Sequence, residues 1–168
     1  LQKEARVFVI AGLGYGDEGK GTTVDWLARC HATGGDVVCV RYNGGAQAAH
    51  NVVLPEGTHH TFSQFGSATL AGAATFLSSH MVVNPTTMLV ESDVLAGLPH
   101  PISIGDPLSR VHVDSTALVT TRFHVAANRV RELVKGARHT HGSCGMGVHE
   151  TMKDYVQGLP CLAVGALR

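Results

Sequence analysis

Aromatic residues are scarce, at 5% of the 168 positions, and charged residues make up only 15%, against roughly 25% in ordinary soluble domains. Lys+Arg and Asp+Glu both number 13, so the formal net charge is zero. No global basic field exists to hold nucleic acid or an anionic membrane, and only a local patch is left for either. No run approaches about 18 consecutive apolar residues, which excludes a membrane-spanning helix. Leu1 to Arg6 are mixed and charged, and no signal-peptide apolar region follows. Cys30, Cys39, Cys144 and Cys161 show no C-x-x-C spacing. A chain this long and 44% apolar folds without disulfides, so they read as free thiols in a reducing, cytoplasmic setting. There is no internal repeat and no low-complexity linker. The chain starts without Met and stops at Ala166-Leu167-Arg168 with no closing element. The expectation is therefore a segment trimmed at both ends.

The order of elements is α/β. Arg6-Val-Phe-Val-Ile-Ala11 is a continuous apolar run ending in glycines, as in a buried parallel strand. Thr22 to His31 reads as a helix closed by Gly34-Gly35, and Asp36 to Tyr42 as a second strand. Strand, glycine-rich turn, helix and strand form a right-handed βαβ unit. Residues 51–54 and 59–62 flank Pro55-Glu56-Gly57 as a hairpin. Residues 66–80, small and rich in Ala, Gly and Ser, carry no clear signal. Pro85 opens a helix over 86–98, and Arg110 to Asp114 alternates like a strand. Arg122 to Lys135 is an amphipathic helix with Val125, Ala126, Val130, Leu133 and Val134 on one side. Residues 138–149 form a glycine-rich loop before a short helix over 150–157.

Gly12-Leu-Gly-Tyr-Gly-Asp-Glu-Gly-Lys20-Gly21 contains the G-x-x-x-x-G-K spacing of a phosphate-binding loop, from Gly14 to Lys20, with Gly21 where Ser or Thr is usual. Consecutive backbone N–H groups and a helix start would face an anion, and Lys20 would neutralise phosphate charge. An acidic residue in such a loop repels phosphate unless a cation lies between them, so Asp17 implies Mg²⁺. The eleven histidines are mostly scattered singly, which argues against bulk metal binding. His139, His141 and His149 are clustered, but no carboxylate frame accompanies them.

Gly16-Asp17-Glu18-Gly19-Lys20-Gly21, followed by Val24-Asp25-Trp26-Leu27, closely resembles the signature loop of adenylosuccinate synthetases. Arg41-Tyr42-Asn43-Gly44-Gly45-Ala46-Gln47-Ala48-Ala49-His50-Asn51-Val52-Val53 is similar to that family's R-Y-Q-G-G-x-N-A-G-H-T-V-V. Gly142-Ser143-Cys144-Gly145-Met146-Gly147-Val148 is a weaker match to G-T-T-G-R-G-I. The resemblance implies a mostly parallel sheet with flanking helices and a P-loop-like loop after the first strand. It implies one GTP-binding and ligase domain over residues 1–168, the N-terminal part of a longer chain. It also implies GTP-dependent phosphorylation of the 6-oxygen of IMP, or of a related purine nucleotide, and displacement of the phosphate by L-aspartate. Asp17, His50 and Lys20 would be catalytic. Gly14, Gly16, Glu18, Gly19, Lys20, Gly21 and Thr22 would bind GTP, and Asn43, Gln47, Ser143 and Cys144 the acceptor nucleotide. Mg²⁺ would lie at Asp17 and the Ala49 carbonyl, and the protein would be a cytoplasmic homodimer.

The departures fall mainly on the acceptor side. Gln47 stands for the family's Asn, Cys144 for a phosphate-binding Thr, Met146 for an Arg, and Ala49 for the Gly whose carbonyl touches the metal. By ungapped counting, the Arg that reaches the neighbouring subunit's nucleotide falls at Gly158. Arg138, His139 and His141 are candidates to replace the missing phosphate ligand. Ser67 either shapes the acceptor pocket or belongs to a polar turn. Arg122, Arg129 and Arg131 read as a solvated face, or in a dimer as an interface. Two alternatives stand beside the IMP ligase: a ligase with another acceptor outside primary purine synthesis, and a non-catalytic nucleotide-binding module that kept the fold.

Overall fold

The computed structural model describes residues 5–31, 37–99, 105–135 and 143–167. The architecture is α/β. Strand β4 (Ala74–Val83) is its centre, paired in parallel with β1 (Val38–Gly45) along one edge, from Val38↔Ala74 to Gly45↔Val82. Two short strands, β5 (Val111–Val113) and β6 (Leu118–Val119), share its other edge, also in parallel. An antiparallel hairpin of β2 (His50–Val53) and β3 (His59–Phe62) stands apart from this sheet. Helices α1 (Lys20–His31), α2 (Pro85–Gly97), α3 (Arg122–Lys135) and α4 (Val148–Val156) complete the order.

Local chemistry accounts for the start of α2. Asn84 caps α2 by accepting from the Thr87 N–H at 3.1 Å, and Pro85 fills the first helical position, where no N–H is needed. The main apolar cluster joins the hairpin to α2 through Val52, Leu54, Phe62, Phe65, Leu70 and Leu95. Leu77, Met81, Val83 and Ala117 form a second cluster beside β4. The cysteines are free thiols, and burial pushes the Cys39 thiol above its ordinary pKa.

Three sequence expectations change. Residues 6–11 are not a strand: Val7 and Val9 are exposed, and among the described residues this segment joins no ladder. A short apolar run has no strand stability without a partner. Its aromatic contact is Phe8 stacked on His31 of α1, with ring centroids 4.8 Å apart. Among the described residues no strand therefore precedes α1 to form a βαβ unit with β1, and the glycine loop enters α1 from irregular backbone. Second, the unassigned stretch 66–80 contains most of the central strand. Third, the apolar side of α3 is uncovered, with Val130, Leu133 and Val134 all exposed. The helix instead docks on α4 through a polar stripe at i, i+4, i+7. His124 Nε2 lies 3.3 Å from Asp154, Asn128 binds the loop before α4, and Arg131 pairs with buried Glu150 at 2.6 Å.

Candidate functional site

The loop over residues 12–19 turns through positive φ at Gly16 (103°) and Gly19 (70°). Asp17, at φ 29°, is the one non-glycine residue in this region among those described, a conformation that costs about 1–2 kcal/mol for a residue with a Cβ. Its side chain is solvent-facing and makes no hydrogen bond or ion pair among the described residues. Glu18 folds back across the loop. Its Oε1 accepts from the Leu13 N–H at 3.1 Å and the Gly14 N–H at 2.5 Å, and its Oε2 lies 3.3 Å from Lys20 Nζ. The Gly14 N–H, and next the Lys20 ammonium, hold the Glu18 carboxyl below its usual pKa. The loop's N–H groups and Lys20 thus hold the protein's own carboxylate.

Helix α1 carries Lys20 up to the hairpin. A methyl on Gly21 would lie 3.1 Å from His50 Cβ and 3.2 Å from the Asn51 carbonyl oxygen, so the helix start and β2 meet this closely only with glycine there. Thr22 Oγ1 donates to the same Asn51 carbonyl at 3.4 Å. His50 is half-buried. Burial first, then the nearby positive charges of Arg41 and Lys20, lower its pKa from 6.5.

A buried network supports this histidine from behind. His50 pairs with Phe62 across the hairpin, and the next residues, 63–65, are clamped from two sides. Glu91 of α2 accepts from the Ser63 N–H at 2.9 Å and the Gln64 N–H at 2.6 Å, with His60 Nε2 at 3.4 Å. Arg41 donates to the Ser63 and Phe65 carbonyls. Both Arg41 and Glu91 are 6% exposed.

Past β1, Ala48 donates its N–H to the Gly45 carbonyl at 3.1 Å; Gln47 and Ala49 there, and Asn43 within β1, face solvent. Ala49 does not have positive φ, so its backbone accommodates the Cβ that replaces the family's Gly. The third loop meets the second at Gly45, where an added Cβ would lie 2.9 Å from Val148 Cγ2 and 3.0 Å from the Val82 carbonyl oxygen. Asn128, buried on α3, pins this loop. It exchanges hydrogen bonds with Ser143 Oγ at 3.0 and 3.2 Å and accepts from the Gly147 N–H at 3.2 Å. Ser143 Oγ also accepts from the Gly145 N–H at 3.3 Å, and the Arg129 side chain packs over Gly145. Cys144 is exposed. Arg138, His139 and His141 lie outside the described residues.

The structure thus brings Lys20 and Gly21 to His50, and Gly45 to Val148. Asn128, Glu91 and Arg41 are supporting residues absent from the sequence-derived site. The i, i+4, i+7 spacing of His124, Asn128 and Arg131 was the available signal for the first of them. No three His, Cys, Asp or Glu residues converge among those described. The solvent-facing Asp17 carboxylate is the kind of hard oxygen ligand that suits Mg²⁺, which keeps waters and shares phosphate oxygens rather than filling an all-protein cage. No helix among the described residues is long and apolar enough to cross a membrane.

Below about pH 6.5 the unfolded chain protonates His50 before the folded protein does. Folding stability is therefore expected to fall as pH drops from about 6.5 toward the lower folded pKa. His50→Asn should flatten that part of a stability–pH curve measured by urea titration. An unchanged curve would remove His50 as its source.

The α/β fold thus sets a glycine loop that holds a carboxylate, and Lys20 with it, beside His50, and brings the third glycine loop against Gly45. The chain belongs to the adenylosuccinate synthetase family, whose profile matches residues 9–160. It is 33% identical over 155 residues to adenylosuccinate synthetase of Nitrosomonas europaea, covering 90% of this chain and 33% of that one. It is 34% identical over 148 residues to that of Rhodococcus opacus, covering 87% and 32%. Among solved structures, fully ligated adenylosuccinate synthetase from Plasmodium falciparum superposes with a TM-score of 0.74 at 21% identity, covering 91% of this chain and 33% of that one. Cyanophage S-2L succinoaminodeoxyadenylate synthetase, bound to dGMP and dATP as an energy donor, superposes at 0.65 and 19% identity, covering 90% and 39%. The chain spans about a third of the length of the curated relatives it matches.

Proposed function

We propose that residues 1–168 form a single GTP-binding and ligase domain of a cytoplasmic, homodimeric enzyme that joins L-aspartate to a purine nucleoside monophosphate. The observation that carries this reading is the seating of Lys20 and the start of α1 against His50, beside a glycine loop that already cradles an anion. Asp17 takes the proton from purine N1, turning the 6-oxygen of IMP into a competent nucleophile. That oxygen attacks the γ-phosphorus of GTP and GDP leaves. The aspartate amino group then attacks C6, the C6–O bond breaks, phosphate departs and the nitrogen loses a proton.

The glycine loop, with Gly14, Gly16, Gly19 and Gly21, follows the polyphosphate closely, and Lys20 meets its charge. Thr22 fixes the helix start against β2. His50, as a neutral imidazole, donates its N–H to the 6-oxygen and the transferring phosphoryl group. Mg²⁺, held by Asp17 and the Ala49 carbonyl, would neutralise charge building on the phosphoryl oxygens. Asn43, Gln47, Ser143 and Cys144 face the acceptor.

One observation favours an acceptor other than IMP. Ser143 Oγ is already engaged by Asn128 and the Gly145 N–H, and its neighbour Cys144 offers only a weak thiol donor where the family has a phosphate-binding Thr. The same fold in the cyanophage S-2L enzyme is bound to dGMP and to dATP as an energy donor, so it accommodates other purine nucleotides.

Positional isotope exchange tests the first step. GTP labelled with ¹⁸O in its β–γ bridge, incubated with Mg²⁺ and IMP but no aspartate, should scramble the label into non-bridging β positions. Scrambling with another purine monophosphate alone would favour the altered acceptor. No scrambling with any purine would overturn the phosphoryl-transfer reading.

A further inference from the structure

We propose that Glu18 is an internal stand-in for phosphate, a tethered carboxylate that an incoming polyphosphate must displace from the glycine loop. The geometry is that of a bound ligand. One carboxylate oxygen takes both backbone N–H groups, of Leu13 and Gly14, and the other faces the Lys20 ammonium. A Cβ on Gly12 would collide with Glu18 Oε2 and lie 2.8 Å from Lys20 Nζ, so the glycine leaves room that the carboxylate fills. Phosphate oxygens ask for the same two donors and the same cation. Two anions cannot share them, because like charges about 4 Å apart repel even in water.

The tether sets what can enter. Glu18, four residues from Gly14, holds the cradle at a high effective concentration. A free singly charged anion gains no more from these donors than Glu18 does, and is excluded. A polyphosphate has several oxygens, reaches Lys20 and the loop N–H groups together, and wins the exchange. Glu18 then swings to solvent and Lys20 exchanges one anion for another, so its charge is never left unmatched.

This inference rests on the loop being the polyphosphate site, and the test separates the two. Calorimetric titration with tripolyphosphate would compare the wild type, Glu18→Gln and Lys20→Ala. The amide of Glu18→Gln keeps the shape of the side chain and removes its charge, and position 18 is exposed, so the fold is retained. Glu18→Gln should bind tripolyphosphate about tenfold more tightly than the wild type, and Lys20→Ala more weakly. Unchanged or weaker binding by Glu18→Gln would overturn the stand-in, leaving Glu18 as a support of the loop while the polyphosphate site survives. If Lys20→Ala binds as tightly as the wild type, or if no form binds, the site reading falls and the stand-in with it.

Discussion

Asp17→Asn is expected to lower kcat about a thousandfold while leaving the fold intact. A positioned base contributes roughly 10²–10⁴ in rate, and an amide accepts no proton from purine N1. It also binds a hard cation poorly. The substitution is mild for the backbone, because Asn tolerates left-handed φ as well as Asp does, and the Asp17 side chain has no partner to lose among the described residues. Steady-state kinetics with a parallel thermal melt checks this. A variant with near-normal kcat would remove Asp17 from the chemistry, and a large fall in Tm would give it a structural role.

Glu91→Ala should cost about 3–5 kcal/mol of folding stability, the effect of removing one partner from a buried charged network. It strands the Arg41 guanidinium, whose burial already works against its charge and whose main compensation is Glu91. It also leaves the Ser63 and Gln64 N–H groups without their acceptor. Total stabilities of about 5–15 kcal/mol make this a large fraction. Lys135→Ala, which breaks an exposed pair with Glu132, should change stability by under about 1 kcal/mol. Urea denaturation of the two variants gives the contrast. Similar losses for both would mean that the Arg41–Glu91 network does not hold the segment behind His50.

Where a residue pattern has a local cause, the sequence showed the fold directly. Pro85 marked the start of α2, the turn at 55–57 the hairpin, and the glycine strings the loops. Helix α3 runs over Arg122–Lys135 as its periodicity predicts, but periodicity misled about its packing. Its apolar residues looked like the buried face, whereas His124, Asn128 and Arg131 make the contacts with α4 and its loop. Strand β4 was hidden because Ala74, Ser78 and Ser79 dilute its apolar signal. Its identity as a strand comes from having neighbours on both edges, which is not local information. The run at 6–11 shows the reverse, a strong strand composition without a ladder.

The candidate site divides in the same way. Lys20 and His50 were legible because each lies in a glycine-framed string, and the structure brings their elements together through Gly21. The carboxylate of Glu18 was not legible as the occupant of the loop, because a side chain folding back four residues leaves no spacing signature. Arg41 lay inside the second string, but its buried partner Glu91 is 50 residues away on α2 and has no motif of its own.

Product analysis by mass spectrometry tests the central claim most directly. The protein would be incubated with Mg²⁺, GTP, L-aspartate and a panel of purine monophosphates, with Asp17→Ala as control. The account predicts a succinyl-nucleotide product that the control does not form, and the preferred acceptor identifies the substrate of the altered pocket. Absence of any such adduct despite GTP binding would contradict it and leave a nucleotide-binding module without this ligation.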